Sequence, residues 1–418
     1  MVASRSCLLT YAFIVVAVLG NSTASAAPEC RSGKGKHHRC TKCQCTELTG
    51  IELLGKYIYF DRIASPDNMA CATCHGPNVG FTGPNPCVNK HGSVYPGAVR
   101  RRYGNRKPPS AAYAAFSPVL YYDVQQGSFV GGNFWDGRAT GENLGNPAAD
   151  QALGPFLNPV EQNNPNKESV LQQIAGNNYS SLWIDVFGAP LEFNTDQEIE
   201  ENYNRVGIAI AAYEKSEEVS PFSSKFDYYL RGETELTPVE LRGMELFNGI
   251  GRCSGCHSST AGPFSEQPLF TDFTYDNLGV PRNPENPFYH MDSVFVGGEP
   301  INPLGENWID FGLGGYLSTT TEWDGYAEIN MGKFKVPTLR NVDKRPGSHF
   351  TKAYCHNGYF TSLKELVHFY NTRDVESWPA PEVAQNINSS ELGNLGLTDD
   401  DEDAIVLFLE TLSDGFRP

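Results

Sequence analysis

The chain has 418 residues, enough for two or three domains at roughly 100–200 residues each. Hydrophobic residues make up 40% and charged residues 19%, which excludes a disordered chain, while 41 Gly and 28 Pro point to many turns and long ordered loops. Against 49 Asp and Glu stand 32 Lys and Arg, a net charge of −17 that argues against a nucleic-acid partner, because phosphate binding is carried by Lys and Arg.

At the N-terminus Arg5 precedes an apolar run over 8–19 and then Ala24-Ser25-Ala26, the three-part plan of a secretory signal peptide cleaved after Ala26. A membrane span needs about 20 apolar residues, and neither this run nor any later one reaches that length. Residues 1–26 are therefore expected to be removed, leaving a chain without a membrane span in the periplasm or another exported compartment. A Cys-rich segment, 27–48, follows. Its Cys30, Cys40, Cys43 and Cys45, with Cys87 and Cys355 further on, could form up to three disulfides, and the sequence does not choose the pairing. Alternatively, the dense cluster with His37 and His38 could bind a metal.

Beyond it the pattern is helical. An amphipathic stretch from Leu54 to Asp61 leads into Cys71-Ala72-Thr73-Cys74-His75, and a further helix is expected over 204–218. Ser220-Pro221-Phe222 then marks a boundary between domains over 49–220 and 221–418. In the second half Thr237, Pro238 and Glu240 read as N-cap, first-turn proline and capping-box acid of a helix that leads into Cys253-Ser254-Gly255-Cys256-His257. Helices over 362–370 and 399–412, the latter capped by Thr398, close the chain. Few strand signals intervene, so the expected fold is mainly α: two cytochrome c-like domains joined by long loops.

The two C-x-x-C-H motifs carry the chemistry. Two thiols three positions apart on one short turn can each add to a vinyl group of a haem, and the next residue then offers its imidazole to the iron. Cys71, Cys74 and His75 are expected to hold one covalently bound c-type haem, and Cys253, Cys256 and His257 a second.

With these motifs stand Phe134-Trp135-Asp136-Gly137-Arg138, Gly154-Pro155 leading to Val160-Glu161, Val336-Pro337-Thr338-Leu339-Arg340-Asn341-Val342, and His356-Asn357-Gly358. Their types and order resemble the diheme cytochrome c peroxidase and MauG family from about Leu53 to Leu412. The resemblance implies that peroxide reacts at the N-terminal haem, where Glu161 assists O–O cleavage as a proton carrier. It places Trp135 between the haems as an electron path, although core packing alone would also explain a buried indole there. Arg138 reads as structural, pairing with a haem propionate. His91 falls where peroxidase members supply a sixth ligand to the resting N-terminal haem, in a loop longer here than in the family; a surface histidine is the other reading.

At the second haem the position of the family's ligating methionine falls on Tyr370, where MauG-like members carry tyrosine. A thioether raises the haem potential, whereas a phenolate favours oxidised iron. A core tyrosine, with Met331 or Met291 at the iron, is the competing reading. The family also has a calcium site between domains, formed partly by main-chain oxygen near Thr351; here Lys107 takes the place of its asparagine ligand, with Asn105 nearby.

These features imply an oxidoreductase that reduces hydrogen peroxide to water, with electrons from a small cytochrome c or cupredoxin entering at the C-terminal haem. A MauG-like oxidation of a protein side chain and a diheme electron carrier without peroxide chemistry are the alternatives. Glu161 argues against the carrier and Tyr370 for MauG-like chemistry. The resemblance leaves room for a homodimer.

Overall fold

The computed structural model describes residues 47–418, and 48–418 form one compact unit. The signal peptide and Cys30, Cys40, Cys43 and Cys45 lie outside the described residues. Of the remaining cysteines, Cys87 is disulfide-bonded, and Cys355 is a free thiol like the four of the paired motifs.

The architecture is mainly helical. In chain order the helices are α1 (Gly50–Phe60), α2 (Cys71–Cys74), α3 (Pro86–Lys90), α4 (Pro147–Leu157), α5 (Lys167–Ala175), α6 (Ser180–Phe187) and α7 (Asp196–Lys215). The second half adds α8 (Lys225–Leu230), α9 (Pro238–Asn248), α10 (Gly312–Leu317), α11 (Leu363–Thr372) and α12 (Asp399–Glu410). Strands among the described residues form three two-stranded antiparallel pairs, the longest joining Tyr121–Asp123 to Ser128–Val130.

Local chemistry sets the helix starts. Thr237 accepts a hydrogen bond from the Glu240 amide while the Glu240 carboxylate accepts one from Thr237, the expected capping box of α9, and Thr398 caps α12 in the same way with Asp401. The helix expected over 204–218 instead starts eight residues earlier and stops at Lys215, because Thr195 and Glu198 form a capping box ahead of a polar first turn.

Two main cores result. One draws on α1, α4, α5, α6 and α7 and includes Tyr59, Trp183 and Tyr213; the other packs Phe247 of α9 and Phe408 of α12 against Phe270. A shared device builds both. In α1 a β-carbon at Gly55 would stand 1.8 Å from the Ala209 carbonyl oxygen of α7, and in α9 one at Gly243 would stand 1.9 Å from that of Ala404 in α12. Each helix preceding a paired-cysteine motif thus crosses its partner at a glycine, so closely that no side chain fits.

After the short strand Phe334–Lys335 runs an irregular segment from Val336 that ends in a turn at residues 340–342. It is pinned by Arg340, whose guanidinium donates to both Asp227 carboxylate oxygens at 2.9 Å and to the Pro268 carbonyl at 2.6 Å. Both side chains of this pair are fully buried. Such a pair is costly to break, since either partner alone would be an uncompensated buried charge.

Candidate active site

Each cysteine motif forms one tight turn. In α2 the His75 amide donates to the Cys71 carbonyl at 3.0 Å, and in the turn Cys253–Gly255 the His257 amide donates to the Cys253 carbonyl at 2.9 Å. The imidazoles are then oriented alike: Nδ1 of His75 donates to the Phe81 carbonyl at 3.1 Å, and Nδ1 of His257 to the Phe270 carbonyl at 2.9 Å. That tautomer leaves Nε2 of each ring as a lone-pair donor for a metal. Desolvation lowers both imidazoles below the ordinary histidine range, which keeps them neutral, and pushes the Cys71 and Cys253 thiols up to about 12.

Each motif opens on its own cavity. The first, about 1610 Å³ with the solvent at its mouth included, is lined by Cys71, Cys74, His75, Trp135, Arg138 and Glu161 among others. The second, about 1420 Å³ on the same measure, is lined by Cys253, Cys256, His257, Cys355, His356 and Tyr370 among others. Lys107, Ser110, Trp135, Lys335 and the Val336-Pro337-Thr338 segment line both, so they form the wall between them.

Glu161 lies in the turn after α4. Asn158 donates to its Oε1 at 2.8 Å, and the side chain lines the first cavity. Desolvation raises this carboxyl above the ordinary glutamate range, with Arg138 and the Asn158 hydrogen bond opposing. Next to it Gln162 has a buried Oε1 without a partner among the described residues. Trp135 is 7% exposed and its indole N–H donates to the Lys107 carbonyl at 2.9 Å. Arg138 lines the first cavity, pairs with Asp136 at 2.8 Å and stacks on Phe134, its guanidinium carbon 3.8 Å from the ring centre.

Tyr370, on α11, lines the second cavity, and its hydroxyl makes no hydrogen bond among the described residues. Desolvation raises its phenol well above the ordinary tyrosine range. Met331 packs into a cluster with Leu313 and Leu317, Met291 is buried in the turn Pro287–Ser293, and neither lines either of these two cavities. His91 is likewise not brought to the first cavity. It caps the C-terminal end of α3 on the surface and pairs with Glu285 at 3.0 Å, while the chain just after it turns inward and lines the first cavity from Val94 to Gly97. The Thr351 carbonyl accepts a hydrogen bond from Asn89 at 3.0 Å.

The donor set fits two haems with thioether links. Thiols, a neutral imidazole and a cavity occur together twice, and the anionic propionates of a haem would meet a cationic wall. There burial lowers Lys335 to about 7 and Lys107 to about 8, and nearby carboxylates would restore their charge.

Sequence reasoning placed Lys107 only as a substitute for a calcium ligand, and missed Lys335 and Glu214. This α7 residue lines the first cavity, its Oε2 has no partner among the described residues, and burial pushes its carboxyl up to about 8. The folded protein therefore keeps a proton that the unfolded chain releases near 4.5. Stability is full below that pH and is lost as pH rises to about 8, by roughly 1.4 kcal/mol per pH unit as an upper limit. Glu214→Gln is expected to flatten this loss and to be more stable than the parent at pH 8, as read by chemical denaturation at several pH values.

The description "Di-haem cytochrome c peroxidase" belongs to the family model that matches residues 50–235. The chain is 34% identical over 380 residues to the methylamine utilization protein MauG of Paracoccus denitrificans, covering 87% of this chain and 88% of that one. It is 26% identical over 408 residues to cytochrome-c peroxidase IdrP2 of Denitromonas iodatirespirans, covering 96% and 91%. Among solved structures it is similar to the diheme peroxidase BthA from Burkholderia thailandensis, with a TM-score of 0.69 and 29% identity over 87% of this chain and 86% of that one.

Proposed function

Because the chain belongs to the di-haem cytochrome c peroxidase family, oxidoreductases with two c-type haems, we propose that it reduces hydrogen peroxide in the Cys71–Cys74 cavity with electrons that enter at the Cys253–Gly255 site. The reaction consumes one H2O2, two protons and two electrons and yields two waters. Cys71 and Cys74 would hold the first haem and Cys253 and Cys256 the second, with His75 and His257 as iron ligands. Bound there, the haems supply the iron that exchanges electrons with peroxide and with the donor.

The chain's own residues do the rest. Glu161 carries the reading: a desolvated carboxyl beside the motif's cavity, with one oxygen held by Asn158, is built to take a proton from one peroxide oxygen and deliver it to the other. An electron carrier has no use for such a group. Trp135 fills the wall and offers a path between sites, and Arg138 orients Asp136 while facing the first cavity. In this reading each core is one c-haem domain, divided near 220, and the N-terminal signal directs the chain to an exported compartment. No described helix is long and apolar enough to cross a membrane. The donor is a small redox protein.

A second reading has an observation of its own. Tyr370 presents an unpartnered hydroxyl to the cavity of His257, where no methionine stands, which favours peroxide-driven oxidation of a protein side chain as in MauG. The test of the common premise is the intact mass of the exported protein. Two haems above the apo mass, followed by peroxide turnover with a reduced small cytochrome c, is the expected result. A mass raised by one haem or none would refute it, and peroxide consumption without cytochrome oxidation would favour the second reading.

A further inference from the structure

Two buried lysines, Lys107 in the wall between the cavities and Lys352 in the lining of the second, hold charge in a form that the family resemblance does not anticipate. Lys352 is 5% exposed, and its ammonium donates to three main-chain carbonyls from separate stretches: Val79 at 2.9 Å, Asn341 at 2.6 Å and Lys344 at 3.0 Å. All three of its N–H groups are spent in this way. Lys107, 7% exposed, donates to the Thr82 hydroxyl and the Pro108 carbonyl, both at 3.1 Å, and its ammonium stands 5.9 Å from the Trp135 ring centre. Among the described residues neither ammonium pairs with a carboxylate.

Calcium would need six to eight oxygens at about 2.3–2.6 Å, with carboxylates among them to offset its charge. Here the converging carbonyls already surround an ammonium. The position of the family's asparagine ligand is Lys107, and the Thr351 carbonyl is engaged by Asn89. A divalent ion would have to sit beside two buried lysines, with only Asp343 near Lys352 and no carboxylate in contact with either ammonium. These residues do not fit calcium.

We propose that Lys107 and Lys352 are built-in cations that do the work of the inter-domain metal, so that this protein takes no calcium between its two sites. Lys352 ties residue 79, beside the first cysteine turn, to residues 341 and 344 of the segment after the wall. Lys107 holds the Trp135 indole through its carbonyl and sets a positive charge near the ring through its ammonium. A charge attached by a side chain cannot be lost to a chelator. Burial lowers both ammonium groups, and the charge of Lys107 lowers Lys352 further, the cost of keeping such charges inside.

The experiment uses the haem-loaded protein dialysed against EGTA, and it reads metal content, melting temperature and the two haem potentials, none of which depends on peroxide turnover. Calcium well below one per chain, with melting and potentials unmoved by EGTA or by added CaCl2, is expected. Lys352→Met should lower the melting temperature and calcium should not restore it, whereas Lys107→Asn with Lys352→Ala should make melting calcium-dependent. One calcium per chain whose removal lowers the melting temperature or shifts a potential would overturn the proposal. So would a Lys352→Met protein with melting and potentials unchanged.

Discussion

Glu161→Gln is expected to lower peroxide turnover by about 10²-fold or more, the usual contribution of a positioned proton-transfer group. The carboxamide keeps the shape and can still accept the Asn158 hydrogen bond, so the turn after α4 should survive and the haem spectra should change little. What it loses is the proton. In the parent protein the carboxyl must be ionised to accept one from peroxide, and desolvation raises the pH at which it ionises. Turnover should therefore fall as pH drops through a value above the ordinary glutamate range, and this acid limb should vanish in Glu161→Gln. A kcat/KM profile over pH on both proteins checks it. Equal rates would return Glu161 to a structural role.

Tyr370→Met is expected to raise the reduction potential of the second haem and to abolish reaction with peroxide from the fully oxidised protein. The phenol lines the cavity of His257, and its hydroxyl has no hydrogen-bond partner among the described residues, so it is free to meet a bound cofactor. As a phenolate ligand it would favour ferric iron, while a thioether favours ferrous iron. The methionines that sequence offers as substitutes, Met331 and Met291, pack elsewhere, so no native thioether stands ready to compensate. Spectroelectrochemical titration of parent and variant reads the potential, and stopped-flow mixing of the diferric forms with peroxide reads the reactivity. An unmoved potential would remove the main support for MauG-like chemistry and leave plain peroxide reduction.

Much of this site was legible in one dimension because its chemistry is local. Two thiols and an imidazole within five positions specify the same turn wherever they occur, and Thr237 with Glu240, or Thr398 with Asp401, announces a helix start in four residues. The start of α7 was not legible. Its first turns are mostly polar, and the apolar positions Ile199 and Tyr203 are too sparse to stand out, so the Thr195–Glu198 capping box is the clearer mark. The three strand pairs are two or three residues long, too short for alternation to register. The burial of the lysines was hidden for another reason: nothing in Arg106-Lys107-Pro108 or Thr351-Lys352-Ala353 distinguishes a buried ammonium from a solvated one, since burial here is decided by tertiary partners such as Thr82 and the Val79 carbonyl. His91 shows the converse, a residue type suited to iron that a long loop carries to the surface.

The glycine crossings bear on what an engineer could take from this protein. Because Gly55 touches Ala209 and Gly243 touches Ala404, neither cysteine turn is portable with its own helix alone; the second helix, over 140 residues downstream, is half of the fitting. Grafting a haem turn into another scaffold thus means transplanting a two-helix joint, and a screen of random variants should find both glycines among the positions that accept no other residue.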